Sequence, residues 1–291
     1  MKNIIFEERT KNFRISHIVQ KNSYNMKKQH LHREYEIYYL IQGERFYFID
    51  GQTYHVNPGS LVLVPSGTIH RTSSVISTDS HERILLILNE EWLNPFLRQT
   101  GMPPLDSYFN QPVIQLDTYK QKYLRRLYDD IYQEMATKQA NYEVAIKMKL
   151  TEILILISRC STIAAKTTST VVSKSAKHTK VNEATMYIKE HFMEPLSLQQ
   201  VADHIFVSRG YLSNIFNEVT GFKLTEYINI QRINHAKELL ANSDDSITDI
   251  AGNSGFESIT YFEKIFRQTT GVTPLKYRQS MQPDKSAKES R

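Results

Sequence analysis

The stretch Ile250-Ala251-Gly252-Asn253-Ser254-Gly255-Phe256-Glu257-Ser258-Ile259-Thr260-Tyr261-Phe262-Glu263-Lys264-Ile265-Phe266-Arg267-Gln268-Thr269-Thr270-Gly271 is a second copy of a pattern found fifty residues earlier. Ser208, Tyr211, Leu212, Ile215, Phe216, Thr220, Gly221 and Tyr227 return as Ser258, Tyr261, Phe262, Ile265, Phe266, Thr270, Gly271 and Tyr277. Upstream, Leu198, Val201 and Ala202 answer to Ile247, Ile250 and Ala251, so the second copy holds one extra residue in its turn. The shared positions are apolar and the polar residues between them differ. Two copies of one helical unit with different polar faces predict a device that reads two adjacent sites.

Each copy reads as two short helices joined by a tight turn. Ser197 is placed to cap a helix over Leu198–Ile205, and Ser208 to cap a second one ending at Gly221. The second copy gives Thr248–Asn253 and Ser258–Thr269, with Gly255 in the turn and Gly271 at the end. This is the helix-turn-helix arrangement, which lays its second helix in the major groove of DNA. A helix over about Leu224–Asn242 joins the copies. Its nineteen residues span roughly 28 Å, enough to hold two reading helices near one DNA turn apart.

The run Ile250-Ala251-x-x-x-Gly255-Phe256-x-x-x-Thr260-Tyr261-Phe262-x-Lys264-x-Phe266-Arg267-x-x-x-Gly271-x-Thr273-Pro274-x-x-Tyr277-Arg278 resembles the signature of the AraC/XylS family of bacterial transcription regulators. The resemblance covers about residues 181–280 and implies a seven-helix DNA-binding domain with two helix-turn-helix units. The expected readers are Ser208, Arg209, Gly210, Ser213, Asn214 and Asn217 in the first copy, and Ser258, Ile259, Thr260, Glu263, Lys264 and Arg267 in the second. Asn bonds adenine in a bidentate way, Lys reaches guanine, and the Ser caps sit near phosphates. Tyr211, Leu212, Ile215, Phe216 and their copies are expected in the core. The chain departs from the family in having Asn214 and Asn217 where a basic residue is common, leaving Arg209 as the cation of the first copy.

The net charge of +5 is unevenly placed. Residues 1–165 hold 20 Lys/Arg against 17 Asp/Glu, residues 166–180 hold four lysines and no acid, and residues 181–291 hold 12 against 14. The DNA-binding region is therefore slightly acidic, and any attraction for phosphate must come from a few placed cations. Apolar content of 40% is globular, and one cysteine, Cys160, excludes an internal disulfide. No apolar run approaches the roughly 20 residues of a membrane span, and the N-terminus lacks a signal-peptide core. The expectation is a cytoplasmic protein without membrane partners.

Before residue 89 the chain reads as short strands, among them Glu36–Ile41, Arg45–Ile49 and Ser60–Val64, with an Asp50-Gly51 hairpin turn. From Thr118 to about Ala165 the period becomes helical. The two helices there are expected to form a dimer seam or to cover a barrel. The fold class is α+β and multidomain: residues 1–165 sense a ligand and dimerise, 166–180 are a linker, 181–280 bind DNA and 281–291 are a flexible tail.

His30-x-His32-x-x-x-Glu36-x₆-Gly43 and Gly59-x₅-Pro65-x-Gly67-x-x-His70 resemble the two cupin motifs, with Ser74 standing where the second usually ends in Asn. In cupin enzymes the residues matching His30, His32, Glu36 and His70 bind a divalent metal, and such a set suits Zn, Fe, Mn or Ni. Strand parity puts positions 30, 32, 36 and 38 on one face. The favoured expectation is a metal-free ligand pocket of His30, His32, Glu36, Tyr38, Arg45 and His70, with no cofactor. His55 and His81 are expected at the surface or in strands without a special role. The chain thus reads as a transcription regulator, an activator or a repressor. It answers to a small molecule, in the first instance a sugar, with double-stranded DNA, a second copy of itself and, for an activator, RNA polymerase as partners. The competing expectation is a cupin metalloenzyme fused to a DNA-binding domain; no other arrangement in the sequence suggests catalysis.

Overall fold

The computed structural model describes residues 2–21, 32, 34–75, 80–164 and 175–281, with no side chains described for 161–164. The chain divides into two compact units, Met1–Ser175 and Ala176–Arg291.

The first unit is built from nine strands among the described residues: β1 (Lys2–Arg9), β2 (Phe13–Gln20), β3 (Tyr35–Gln42), β4 (Arg45–Ile49), β5 (Gln52–Val56), β6 (Ser60–Val64), β7 (His70–Ser74), β8 (His81–Leu88) and β9 (Val113–Gln115). They form a six-stranded sheet ordered β1-β2-β8-β3-β6-β9 and a three-stranded sheet ordered β5-β4-β7. Alternation along β3 decides what each face meets. Tyr35, Ile37 and Tyr39 join the core beneath the helices, while Tyr38 and Leu40 join a second core with Tyr47, Ile49, Tyr54 and Val56 of the small sheet. The sheets therefore pack face to face, as the cupin-like expectation requires. Asp50 and Gly51 make the β4–β5 turn with φ of +45° and +91°, and Ile49 pairs with Gln52 across it. A two-residue turn of this hand needs both residues at positive φ, which Asp tolerates and Gly adopts freely.

Three helices follow: α1 (Glu90–Gln99), α2 (Thr118–Thr137) and α3 (Tyr142–Ala164), with one 3-10 turn at Leu105–Tyr108. Leu124, Leu127, Tyr128, Ile131 and Met135 of α2 and Ile146, Leu150, Ile153 and Ile157 of α3 lie in the core against the large sheet. These helices cover the sheet. The sequence misses α1 and β9: Pro95 inside α1 reads as a breaker, and three residues are too few for a strand signal.

The second unit is helical. Its elements are α4 (Ala176–His191), α5 (Leu198–His204), α6 (Arg209–Thr220), α7 (Leu224–Asn242), α8 (Ile247–Asn253), α9 (Ile259–Thr270) and α10 (Pro274–Met281), seven helices among the described residues. The linker expected over 166–180 is corrected at its C-terminal end, because α4 begins at Ala176 and buries His178 and Val181. Residues 165–174 and the tail 282–291 lie outside the described residues. Tyr227 of α7 meets Phe216 of the first copy edge-on at 5.5 Å, and Ile233, Ala236 and Leu240 join Phe262 and Phe266 of the second copy. One helix thus serves as backing for both copies. Among the described residues no helix is long and apolar enough to cross a membrane.

Candidate nucleic-acid interface and ligand cavity

The two copies repeat their geometry as well as their sequence. Ser208 accepts a hydrogen bond from Tyr211 N, and Ser258 from Tyr261 N. Both reading helices end on a left-handed glycine, Gly221 at φ +83° and Gly271 at +80°. Thr220 and Thr270 each donate to the carbonyl four residues back, at 2.7 and 2.8 Å. Phe266 meets Tyr277 edge-on at 5.6 Å, the counterpart of Phe216 and Tyr227.

All twelve expected readers are exposed: Ser208, Arg209, Gly210, Ser213, Asn214 and Asn217 on and before α6, and Ser258, Ile259, Thr260, Glu263, Lys264 and Arg267 on and before α9. The same face holds two residues assigned to the core from sequence. Tyr211 is 45% and Tyr261 46% exposed, against 0% for Leu212 and Phe262 beside them. The 3.6-residue period puts position 211 at the edge of the apolar stripe, where an amphipathic tyrosine leaves its hydroxyl in water. Asn229 donates to the Tyr261 hydroxyl at 2.9 Å. Arg232, at the middle of α7, ties the halves together: Nε donates to Phe192 O at 2.7 Å, a terminal amino group donates to Glu194 O at 2.9 Å, and the guanidinium lies 5.7 Å from the Phe256 ring centre.

In the first unit, three of the expected pocket residues meet. The ligand atoms of His32, Glu36 and His70 lie within 4.8 Å of one another. His32 stands just before β3, so the parity argument holds only for Glu36 and Tyr38; His30 lies outside the described residues. His32 Nε2 donates to Glu36 Oε1 at 2.9 Å, and His70 Nε2 is 3.5 Å from Glu36 Oε2. Each imidazole turns its Nδ1 to a main-chain carbonyl, Glu34 O at 3.1 Å and Thr68 O at 2.9 Å. With an acceptor at each ring nitrogen, His32 is held as its imidazolium while no metal is bound; a metal ion would take the place of the Nε2 proton, the ring staying oriented by the Nδ1–H bond to its carbonyl. Burial alone would lower the His32 pKa, but the hydrogen bond and charge of Glu36 outweigh it and raise it above 6.5. Burial alone would raise Glu36, but the bonds and charges of His32 and His70 hold it well below the carboxylate range. The donor set fits a divalent ion, which would act there as a Lewis acid toward an oxygen ligand.

A cavity of about 440 Å³ opens beside this cluster, lined by His32, Glu36, Tyr38, Tyr47, His81 and Arg83 among others. Tyr38 is where the sequence places it. Arg45 is corrected: it is fully buried outside the lining, donating from Nε to Thr72 Oγ1 at 3.1 Å and from a terminal amino group to Ser74 Oγ at 2.8 Å. His81 stands in a strand, β8, as one of the two expectations has it, and not at the surface. It is 3% exposed and faces the cavity, with its pKa pushed down to about 3 by burial and by the charges of Arg45 and Arg83. His55 stays near the surface and bonds Glu44 at 2.9 Å. Arg83 and Tyr47 were missed because they reach the cavity through register: Arg83 pairs with Leu40, and Tyr47 with Thr72.

The chain matches two family models, described as "AraC-like ligand binding domain" over residues 15–154 and "Helix-turn-helix domain" over residues 201–280. It is similar to the regulatory protein PocR of Salmonella typhimurium, 37% identical over 139 residues that make up 48% of this chain and 45% of PocR. The alignment thus takes in less than half the length of PocR. It is also similar to the melibiose operon regulatory protein of Escherichia coli, 25% identical over 286 residues, 93% of this chain and 87% of that one. Among solved structures, apo ToxT from Vibrio cholerae aligns at 19% identity over 93% of this chain and 98% of its own, with a TM-score of 0.38.

Proposed function

The chain belongs to the AraC family of transcription regulators, joining an AraC-like ligand-binding domain to a helix-turn-helix domain, and from that membership we propose that it binds two successive major-groove segments and answers to a small molecule held in its N-terminal cavity. The observation that carries the DNA half is the pair of exposed reading helices backed by the single helix α7. Lys264 and Arg267 supply phosphate affinity through the second copy, while Arg209, Asn214 and Asn217 read bases through the first. The effector is a hydroxylated molecule, a sugar in the first instance: the cavity is walled by tyrosine, histidine and carboxylate groups, and one relative is a melibiose operon regulatory protein. A homodimer in the cytoplasm, 1–165 as sensor and 181–280 as reader, completes the proposal.

Footprinting upstream of the neighbouring operon, with and without candidate sugars, tests it. Protection of two major-groove segments one turn apart, altered by a sugar, is expected. A footprint shorter than one helical turn per protomer counts against simultaneous docking of both copies.

The His32–Glu36–His70 cluster favours a second reading, a cupin metalloenzyme fused to the DNA-binding domain. Metal analysis separates the two: a stoichiometric divalent ion after mild purification keeps the enzyme in play, and a small fraction of an equivalent removes it.

A further inference from the structure

The cavity wall has one charged end that no carboxylate among the described residues neutralises. Arg83 lies with its guanidinium 5.6 Å from the Tyr38 ring centre, and one of its terminal amino groups is buried with no hydrogen-bond partner. Tyr38 Oη and His81 Nδ1, beside it in the same wall, are likewise buried and unpartnered. Among the described residues no carboxylate pairs with Arg83. The carboxylates of the wall, Glu34 and Glu36, both turn to His32 at the other end. An uncompensated cation and three idle polar atoms at one spot are costly unless something binds them. The mouth has the same sign: the exposed Lys2, Arg9 and Lys11 line it. Such a field draws anions in.

We propose that the cavity takes a small organic anion of the sugar-acid class, its carboxylate held by Arg83, His81 Nδ1–H and Tyr38 Oη–H. A guanidinium and two neutral donors form a complete recognition set for a carboxylate, with charge-assisted hydrogen bonds that a neutral hydroxyl does not make. A tyrosine hydroxyl and an imidazole kept uncharged by burial are neutral donors beside a single fixed cation. The remaining hydroxyls of the ligand face Tyr47 and the His32–Glu36 end. The inference rests on reading the first unit as a ligand sensor and names its ligand class.

The test is thermal unfolding of the full chain with D-glucuronate, D-gluconate, D-glucose and the methyl ester of glucuronic acid as probes. A saturable rise in Tm with either acid, absent with glucose and the ester, is expected. Arg83→Met should raise the Tm of the ligand-free chain, because it removes an uncompensated cation, and should abolish the response to the acids. A rise with glucose or the ester that the acids do not match overturns the anionic class and leaves the sensor reading intact. Silence from every probe overturns the sugar-acid class and leaves the sensor reading to the footprinting test. Should Arg83→Met lower the Tm of the ligand-free chain, Arg83 is a structural cation held by Tyr38 and the anion site is overturned.

Discussion

Phe206 and Gly255 occupy the same backbone position in the two helix-turn-helix turns, and both lie in the left-handed region, at φ +56° and +85°. The hydrogen bonds around them match: Phe206 N to Asp203 O and Val207 N to Ala202 O in one, Gly255 N to Gly252 O and Phe256 N to Ala251 O in the other. The extra residue of the second copy is therefore Glu257, inserted after the shared turn. Glycine holds this conformation freely, whereas a bulky residue is strained there by roughly 1–2 kcal/mol. Phe206 is 91% exposed and recovers nothing by packing.

Two opposite outcomes follow from that pair. Phe206→Gly should be neutral or stabilising by up to about 1 kcal/mol, the relief of strain less the added freedom of the unfolded chain. Gly255→Ala should destabilise by about 2 kcal/mol or more, since its Cβ would stand 2.8 Å from Met193 Cα and from the carbonyl oxygens of Met193 and Phe192. Urea unfolding measures both; a loss of stability in Phe206→Gly refutes the strain argument.

Arg232 should matter more than its place on a helix exterior suggests. Its two hydrogen bonds to main-chain carbonyls after α4, together with its contact over Phe256, hold the second turn against the first copy. Arg232→Ala leaves the Phe192 and Glu194 carbonyls without their partner and should cost about 2–3 kcal/mol. Arg232→Lys cannot span both carbonyls and should recover only part of it. Affinity for a two-segment operator should fall more than affinity for a single segment, because spacing between the copies is what Arg232 fixes. Equal losses on both DNAs would show that only general stability was touched.

The division of labour between the copies is measurable through salt. Lys264→Ala with Arg267→Ala should reduce the slope of log affinity against log salt by about 2, and Arg209→Ala by about 1. Residues 181–291 are slightly acidic, and Lys177 and Lys180 bring the second unit only to neutrality, so no diffuse positive field replaces a lost contact. An unchanged slope in the double variant refutes the assignment of phosphate affinity to the second copy.

The helical half was legible because its signals are local: capping serines, apolar residues three and four apart, and terminal glycines all lie within one copy, and the other copy repeats them. Tyr211 and Tyr261 were misplaced because a tyrosine at the edge of an apolar stripe reads as part of it. In the first unit the strands and the Asp50-Gly51 turn were legible for the same local reason. The cavity was not. Tyr38 and Arg83 come within reach only because β3 and β8 pair antiparallel across more than forty residues of intervening chain. Along β8 the inward positions run His81, Arg83, Leu85, Ile87, a mixed set that gives no alternation to mark which face is buried.

Acid should destabilise the protein through its buried histidines before the carboxylates titrate. Burial first, and then the charges of Arg45 and Arg83, push His81 down to about 3; burial and the charge of Lys177 push His178 down to about 4. For each, the folded pKa lies below the unfolded value near 6.5, so the unfolded chain takes up the proton first. Stability is fully present above pH 6.5 and is lost as pH falls toward the folded values. His32 works against this: its raised pKa adds stability that is present below 6.5 and lost as pH rises. Glu36, held low, gives stability that is lost only below the ordinary carboxylate value of 4.5. Between pH 7 and pH 5 the wild-type chain should therefore lose about 2 kcal/mol relative to His81→Gln, whose side chain does not titrate. Urea unfolding at the two pH values, followed in both proteins, measures the difference. Parallel losses would mean that His81 takes up its proton in the folded chain, and that the cavity already shields the charge of Arg83 from it.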